Sequence, residues 1–190
     1  MSKTATIFEM LSRGGFICSN TGMPGGRDLY QYVEEHEERL RGMFAEVGFR
    51  LETGNNYYYF SRDHEDAPGR ERKIKKALRW LDMLAFFTTY RKDLCRGARL
   101  SPHDLAGQLD INSSLKDQLL TLQRGNGKKN YAEQLESLFT ELRKEGFIEL
   151  ENEASQTWKL LDAWDYMEQM VMAVNIFEEE SDEEPVEKHR

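Results

Sequence analysis

The chain has 190 residues, 39% hydrophobic and 32% charged, with a formal net charge of −8, which suits one ordinary domain or two small ones with a wet surface. No apolar run approaches the ~20 residues that span a bilayer, and the opening MSKTATIFEMLSRGG lacks the blocks of a secretory signal. Cys18 and Cys95 stand in no metal or redox spacing, so they read as reduced, mostly buried thiols of a cytoplasmic protein.

In chain order, residues 4–13 can form a short helix that Gly14-Gly15 ends, and SNTGMPGGRD (19–28) is turn chemistry throughout. Asp28 can then cap one long helix, because Leu29, Tyr32, Val33, His36, Leu40, Met43, Phe44 and Val47 recur at three- and four-residue steps. Gly48 stops it, and FRLE and YYYFS flank the polar turn TGNN as a hairpin. Alternation along Tyr57-Tyr58-Tyr59-Phe60 must send two of these aromatics away from their own core. HEDAPGR (64–70) reads as a linker, followed by a helix from about Glu71 to Leu94. Ser101, Pro102 and Asp104 make a helix start, INSSLKDQLLTL is helical, and QRGNGKKN is a loop. An amphipathic helix over Tyr131–Glu145 ends at Gly146, and FIEL and TWKL form a second hairpin. A strongly apolar helix, LLDAWDYMEQMVMAVNIF, comes next. Residues 178–190 carry seven acids against two bases, a net of −5 that leaves −3 for the rest, and they read as a disordered acidic tail.

The two hairpins share an entrance. FAEVGFRLETGNNYYYF and LRKEGFIELENEASQTWKL each run from an amphipathic helix through Gly-Phe into a strand, a polar turn and an aromatic-bearing strand. This is a weak internal repeat, and it gives the fold class: mostly α with small β-hairpins as wings, in tandem winged-helix domains. The expected boundaries are 1–66 for the first domain, 67–177 for the second with its C-terminal helix, and 178–190 for the tail.

Catalytic signatures are missing from the sequence. The four histidines have no second His or Cys at ligand spacing. GNGKKN (125–130) fails as a phosphate loop, since Leu122 occupies the first glycine position and Lys129 follows Lys128. No enzymatic activity and no cofactor are expected. Nucleic-acid contact has better material. Arg70, Arg72, Lys73, Lys75, Lys76 and Arg79 form a dense basic cluster, and Arg124, Lys128 and Lys129 form a smaller one. Such clusters bind phosphate in a salt-dependent, sequence-blind way; a solvated helix start or a dock for an acidic partner reads equally well. The helix in the recognition position argues against base reading. Tyr131 to Glu151 holds six acids and two bases, and phosphates repel carboxylates facing a groove. Apolar surplus offers protein-interface candidates: Tyr57 and Tyr59 on the first wing, and Trp164, Met167, Met170, Val171, Val174 and Phe177 on the last helix, unless that helix is sandwiched between the domains.

With this order in hand, the sequence resembles the MukE/MksE family, the winged-helix subunits of bacterial Muk-type condensins. The resemblance lies in DLYQYVEEHEERLRGMFAEVGFRLETGNNYYYF, in the insertion DINSSLKDQLLTLQRGNGKKN after SPHDLAGQL, in NYAEQLESLFTELRKEGFIELENEASQTWKL, and in the acidic tail. It implies a non-enzymatic homodimer, the first domain supplying much of the self-contact, that binds a kleisin and through it joins an SMC ATPase that organises chromosomal DNA. The expected location is the cytoplasm, at the nucleoid. A free-standing winged-helix transcriptional regulator is the alternative.

Overall fold

Local capping chemistry sets four of the eight described helix starts. Ser2 accepts the Ala5 amide and opens α1 (Lys3–Ser12); Ser101, Asn112 and Asn130 do the same for α5 (Pro102–Leu109), α6 (Ser113–Leu122) and α7 (Tyr131–Glu145). The computed structural model describes residues 2–62, 67–124 and 130–182, with side chains as far as Ala173. Between α1 and the first hairpin lie β1 (Ile17–Cys18), α2 (Gly26–Glu35) and α3 (Glu37–Ala45); the hairpin is β2 (Arg50–Thr53) and β3 (Tyr57–Ser61). The second half runs α4 (Ala67–Tyr90), β4 (Arg99–Leu100), α5, α6, α7, then the hairpin β5 (Ile148–Asn152) and β6 (Thr157–Leu160), and closes with α8 (Trp164–Asp182).

Each half therefore builds a three-stranded antiparallel sheet with the same plan. The orders are β1-β3-β2 and β4-β6-β5: a two-residue strand pairs with the second strand of a hairpin that follows it by several helices. The fold is mostly helical with two small sheets, as the hairpin repeat implied. Gly48 and Gly146 carry φ of +80° and +84° at their helix ends, a backbone region open to glycine at little cost.

Four local expectations are corrected. The long helix over 29–47 is two helices, because His36 leaves helical geometry (φ −125°, ψ 22°) while its ring stacks on Tyr32 at 4.3 Å. Gly25, not Asp28, caps α2; Asp28 sits in the first turn, where its charge faces the positive helix end. The Pro68-Gly69 pair lies in the first turn of α4 instead of a linker, which the missing proline N–H permits there; residues 63–66 lie outside the described part. The backbone of α8 continues to Asp182, five residues into the stretch read as a tail, and 183–190 lie outside the described residues. Of the two free thiols, Cys18 is buried and Cys95 is exposed.

Two apolar clusters form. One belongs to the first half, where Ile7, Leu11, Val33, Leu40, Phe44 and Tyr58 close on one another. The larger one is built from the second half, yet it takes in Cys18 and Tyr57 from the first. The halves share a core.

Candidate functional site

The β3 strand explains how the core comes to be shared. Its pleat turns Tyr58 and Phe60 into the first half's cluster and Tyr57 and Tyr59 to the opposite side, as alternation requires. There they meet Phe16, which precedes β1, and Tyr166 of α8: Phe16–Tyr57 is 5.8 Å between ring centroids, Phe16–Tyr166 5.2 Å and Tyr59–Tyr166 4.8 Å. Phe147 continues the seam at 5.6 Å from Phe16, and Trp80 completes it at 5.1 Å from Phe147. Tilted and edge-on pairs of this kind each contribute about 0.5–1.5 kcal/mol beyond their buried area. Burial, more than any neighbouring charge, pushes the Tyr57 phenol well above its ordinary range and the Cys18 thiol up to about 12.

A polar latch seals one edge of this seam. Glu149 of β5 accepts the Thr21 hydroxyl at 2.7 Å and the Gly22 amide at 2.6 Å, and it pairs with Lys159, its cross-strand partner on β6, at 2.8 Å. The side chains of Glu149 and Lys159 are only 8% and 11% exposed. Beside it, Asp162 accepts the Ser19 hydroxyl and the Asn20 amide at 2.9 and 3.0 Å, while Asn20 returns bonds to the Leu160 carbonyl and from the Asp162 amide. The 19–22 loop, read from sequence only as turn chemistry, is thus the first half's grip on the second sheet.

Part of the apolar surplus of the last helix is used within the chain, while Met172 is 64% exposed. Trp164 and Met167 are 1% and 0% exposed, Val171 is buried and Met170 half-buried. With Tyr57 at 1%, Trp164, Met167 and Val171 give a partner little or no surface in the folded chain, and the sandwiched arrangement accounts for them, whereas Met170 lines an open cavity. Tyr59 is half-buried in the same seam. Val174 and Phe177 belong to α8, but their side chains lie outside the described residues.

Three of the six cations in the α4 cluster, Lys75, Lys76 and Arg79, pair with acids of the chain. Arg79 makes a two-pronged pair with Glu141 of α7, at 3.1 and 2.8 Å, and donates to the Leu122 carbonyl. Lys76 pairs with Glu145 at the end of α7 and lies over the Trp80 ring at 5.1 Å. Lys75 pairs with Glu71 one turn back, in an exposed geometry of little energetic weight. Arg70, Arg72 and Lys73 are exposed on the first turns of α4, and Arg124 is exposed after α6; Lys128 and Lys129 lie outside the described residues. Below Lys73 and Lys76, an open cavity of about 160 Å³ is lined by Gly14, Phe16, Tyr59, Trp80, Tyr166 and Met170. So two of the acids of α7, Glu141 and Glu145, face the cations of α4, while Glu133 and Glu136 are exposed.

Among the described residues no cluster of His, Cys, Asp and Glu could hold a metal ion, and no helix is long and apolar enough to cross a membrane. Fold and seam together define a helical protein with two similarly built halves, welded by an aromatic seam and charge pairs. A family model described as condensin complex protein MksE matches residues 2–171, and the chain belongs to that family. It is a condensin complex protein. Among curated proteins, none matches the chain.

Proposed function

We propose that this chain is the non-enzymatic, kleisin-binding subunit of a condensin-like SMC complex. It is a homodimer of tandem winged-helix units, divided near residue 66, that joins the SMC ATPase through the kleisin and touches chromosomal DNA weakly and without reading sequence. It works in the cytoplasm, at the nucleoid. The observation that carries this is the pairing of α7 with α4. In the recognition position of the second winged-helix plan, Glu141 and Glu145 are committed to Arg79 and Lys76, so the helix that would read bases serves to build the protein. The repeated order of helix, short strand, helices and hairpin supports the tandem winged-helix reading, and family membership supports the partners.

Affinity purification of the full chain from its host, followed by mass spectrometry, tests the assembly. A kleisin and a long coiled-coil ATPase should be recovered; recovery of neither sinks the reading. DNA binding by the isolated chain should be weak, equal across unrelated duplexes and steeply reduced by salt. Tight binding to one duplex would instead make it a transcriptional regulator. In the assembled complex, reversing the charge of Lys73, Lys75 and Lys76 together should weaken DNA retention.

A further inference from the structure

The open cavity beside the aromatic seam is walled by rings and entered past cations. Phe16, Tyr59, Trp80 and Tyr166 line it together with Met170, and Lys73 and Lys76 stand at its edge. Its volume of about 160 Å³ is too small for a drug-sized ligand, which takes roughly 300–1,000 Å³. It matches the size, about 150 Å³, that holds one benzene. A single six-membered ring therefore fits, and the second ring of a fused pair is left outside. The cations continue beyond the cavity. Lys76, Lys73 and Arg72 share about 100° of the α4 surface, and Arg72 and Lys73 are exposed. Lys76 lies over the Trp80 ring at 5.1 Å, so one face of that ring is turned towards the opening.

We propose that this cavity takes an unpaired pyrimidine of a single DNA strand, whose phosphates lie on Lys76, Lys73 and Arg72. A strand supplies one anion for every ring, which is the pattern of the site: an aromatic chamber with a basic track leading from it. A duplex cannot use the chamber, because its bases are stacked inside and it offers phosphates alone. The volume selects pyrimidine, whose base is one ring. The base takes the face of Trp80 over which Lys76 lies, and the ammonium moves to the adjoining phosphate. Lys76 is 43% and its partner Glu145 28% exposed, so water screens that pair and it exchanges for a phosphate at little cost. The inference deepens the DNA contact of the reading above: a weak hold on duplex becomes a tighter one where the strands are apart.

Fluorescence anisotropy of labelled strands with the full chain, at one salt concentration, tests it. Oligo(dT) should bind at least about fivefold more tightly than an abasic strand of the same length, the share expected of one stacked base. It should also bind more tightly than oligo(dA) and than duplex. Met170→Trp, which fills the cavity from a half-buried position on its wall, should bring oligo(dT) down to the level of the abasic strand. Duplex binding and the circular dichroism spectrum should stay as they are. If oligo(dT) binds the wild type no better than the abasic strand, the inference falls, even where salt-sensitive duplex binding and recovery of the condensin partners stand. Binding of dTMP as tight as that of the strand would overturn the strand and give the cavity to a free nucleotide. A Met170→Trp variant that keeps oligo(dT) but loses the kleisin in affinity purification would make the cavity a protein contact instead.

Discussion

Replacing Glu149 by alanine should be the most damaging single change at the seam. It removes three partners at once: the Thr21 hydroxyl at 2.7 Å, the Gly22 amide at 2.6 Å and the Lys159 ammonium at 2.8 Å. The ammonium dominates. With its side chain only 11% exposed, Lys159 would be left as an uncompensated buried charge, a situation that costs about 3–5 kcal/mol. The hydroxyl and amide lose charge-assisted bonds worth about 1.5–3 kcal/mol each, in part the same penalty counted again because water enters the space. A loss of about 3–5 kcal/mol follows, or roughly 6–20 °C in Tm for a chain of this size. The decisive comparison is the double variant Glu149→Leu, Lys159→Met. It removes the orphaned charge with the acid and should lose less than about 2 kcal/mol, making the second substitution stabilising in the background of the first. Urea unfolding at fixed protein concentration, followed by the fluorescence of the three tryptophans, measures both. A Glu149→Ala loss below about 1 kcal/mol, or a double variant as unstable as the single, would refute the latch as a buried charge pair.

Other consequences are smaller. Arg79→Ala should cost about 1–2 kcal/mol in the same assay, since its pair with Glu141 is two-pronged but roughly a third exposed (27% and 35%); Glu141→Gln, which keeps one acceptor, should cost less. A thiol reagent should modify Cys95 in the native protein and reach Cys18 only on unfolding, because one is exposed and the other buried. Stability should also fall in alkali. The folded state holds the Cys18 proton to about 12, whereas an unfolded chain releases it near 9.0. Its contribution is whole below pH 9 and is lost as pH rises towards 12, at up to about 1.4 kcal/mol per pH unit. Tyr58, raised from 10.0 to about 12 mainly by burial, adds a similar loss from pH 10. Unfolding curves from pH 8 to 11 should show the decline, and Cys18→Ala should flatten its first part.

The hairpins were legible in the sequence because a polar Gly-containing or Asn-containing turn lies between β-prone runs in each, and alternation correctly sent Tyr57 and Tyr59 away from Tyr58 and Phe60. The short strands were not. Ile17–Cys18 and Arg99–Leu100 are too brief to show a period, and only their pairing with β3 and β6 defines them. The break at His36 was hidden because the three- and four-residue apolar steps run straight across it. The basic cluster on α4 was visible as a cluster, but its answering acids, Glu141 and Glu145, lie in another helix far along the chain, so only tertiary structure joins them. Glu149 looked like one more acid on a polar hairpin. Its position directly across from Lys159 in the hairpin register was the available clue that it is a paired group.

The seam has a consequence for how such a chain can vary. A single phenylalanine, Phe16, touches the first hairpin through Tyr57, the entrance of the second through Phe147 and the last helix through Tyr166. A Cβ on Gly146 would already press on its ring at 3.2 Å. Two units that share one side chain cannot drift apart as separable modules. A change of size on one hairpin must be matched on the other, and neither unit can be lent to another protein without exposing the aromatic face it keeps closed. The two halves repeat one plan in their strand order but form a single object by packing, and natural selection sees only the object.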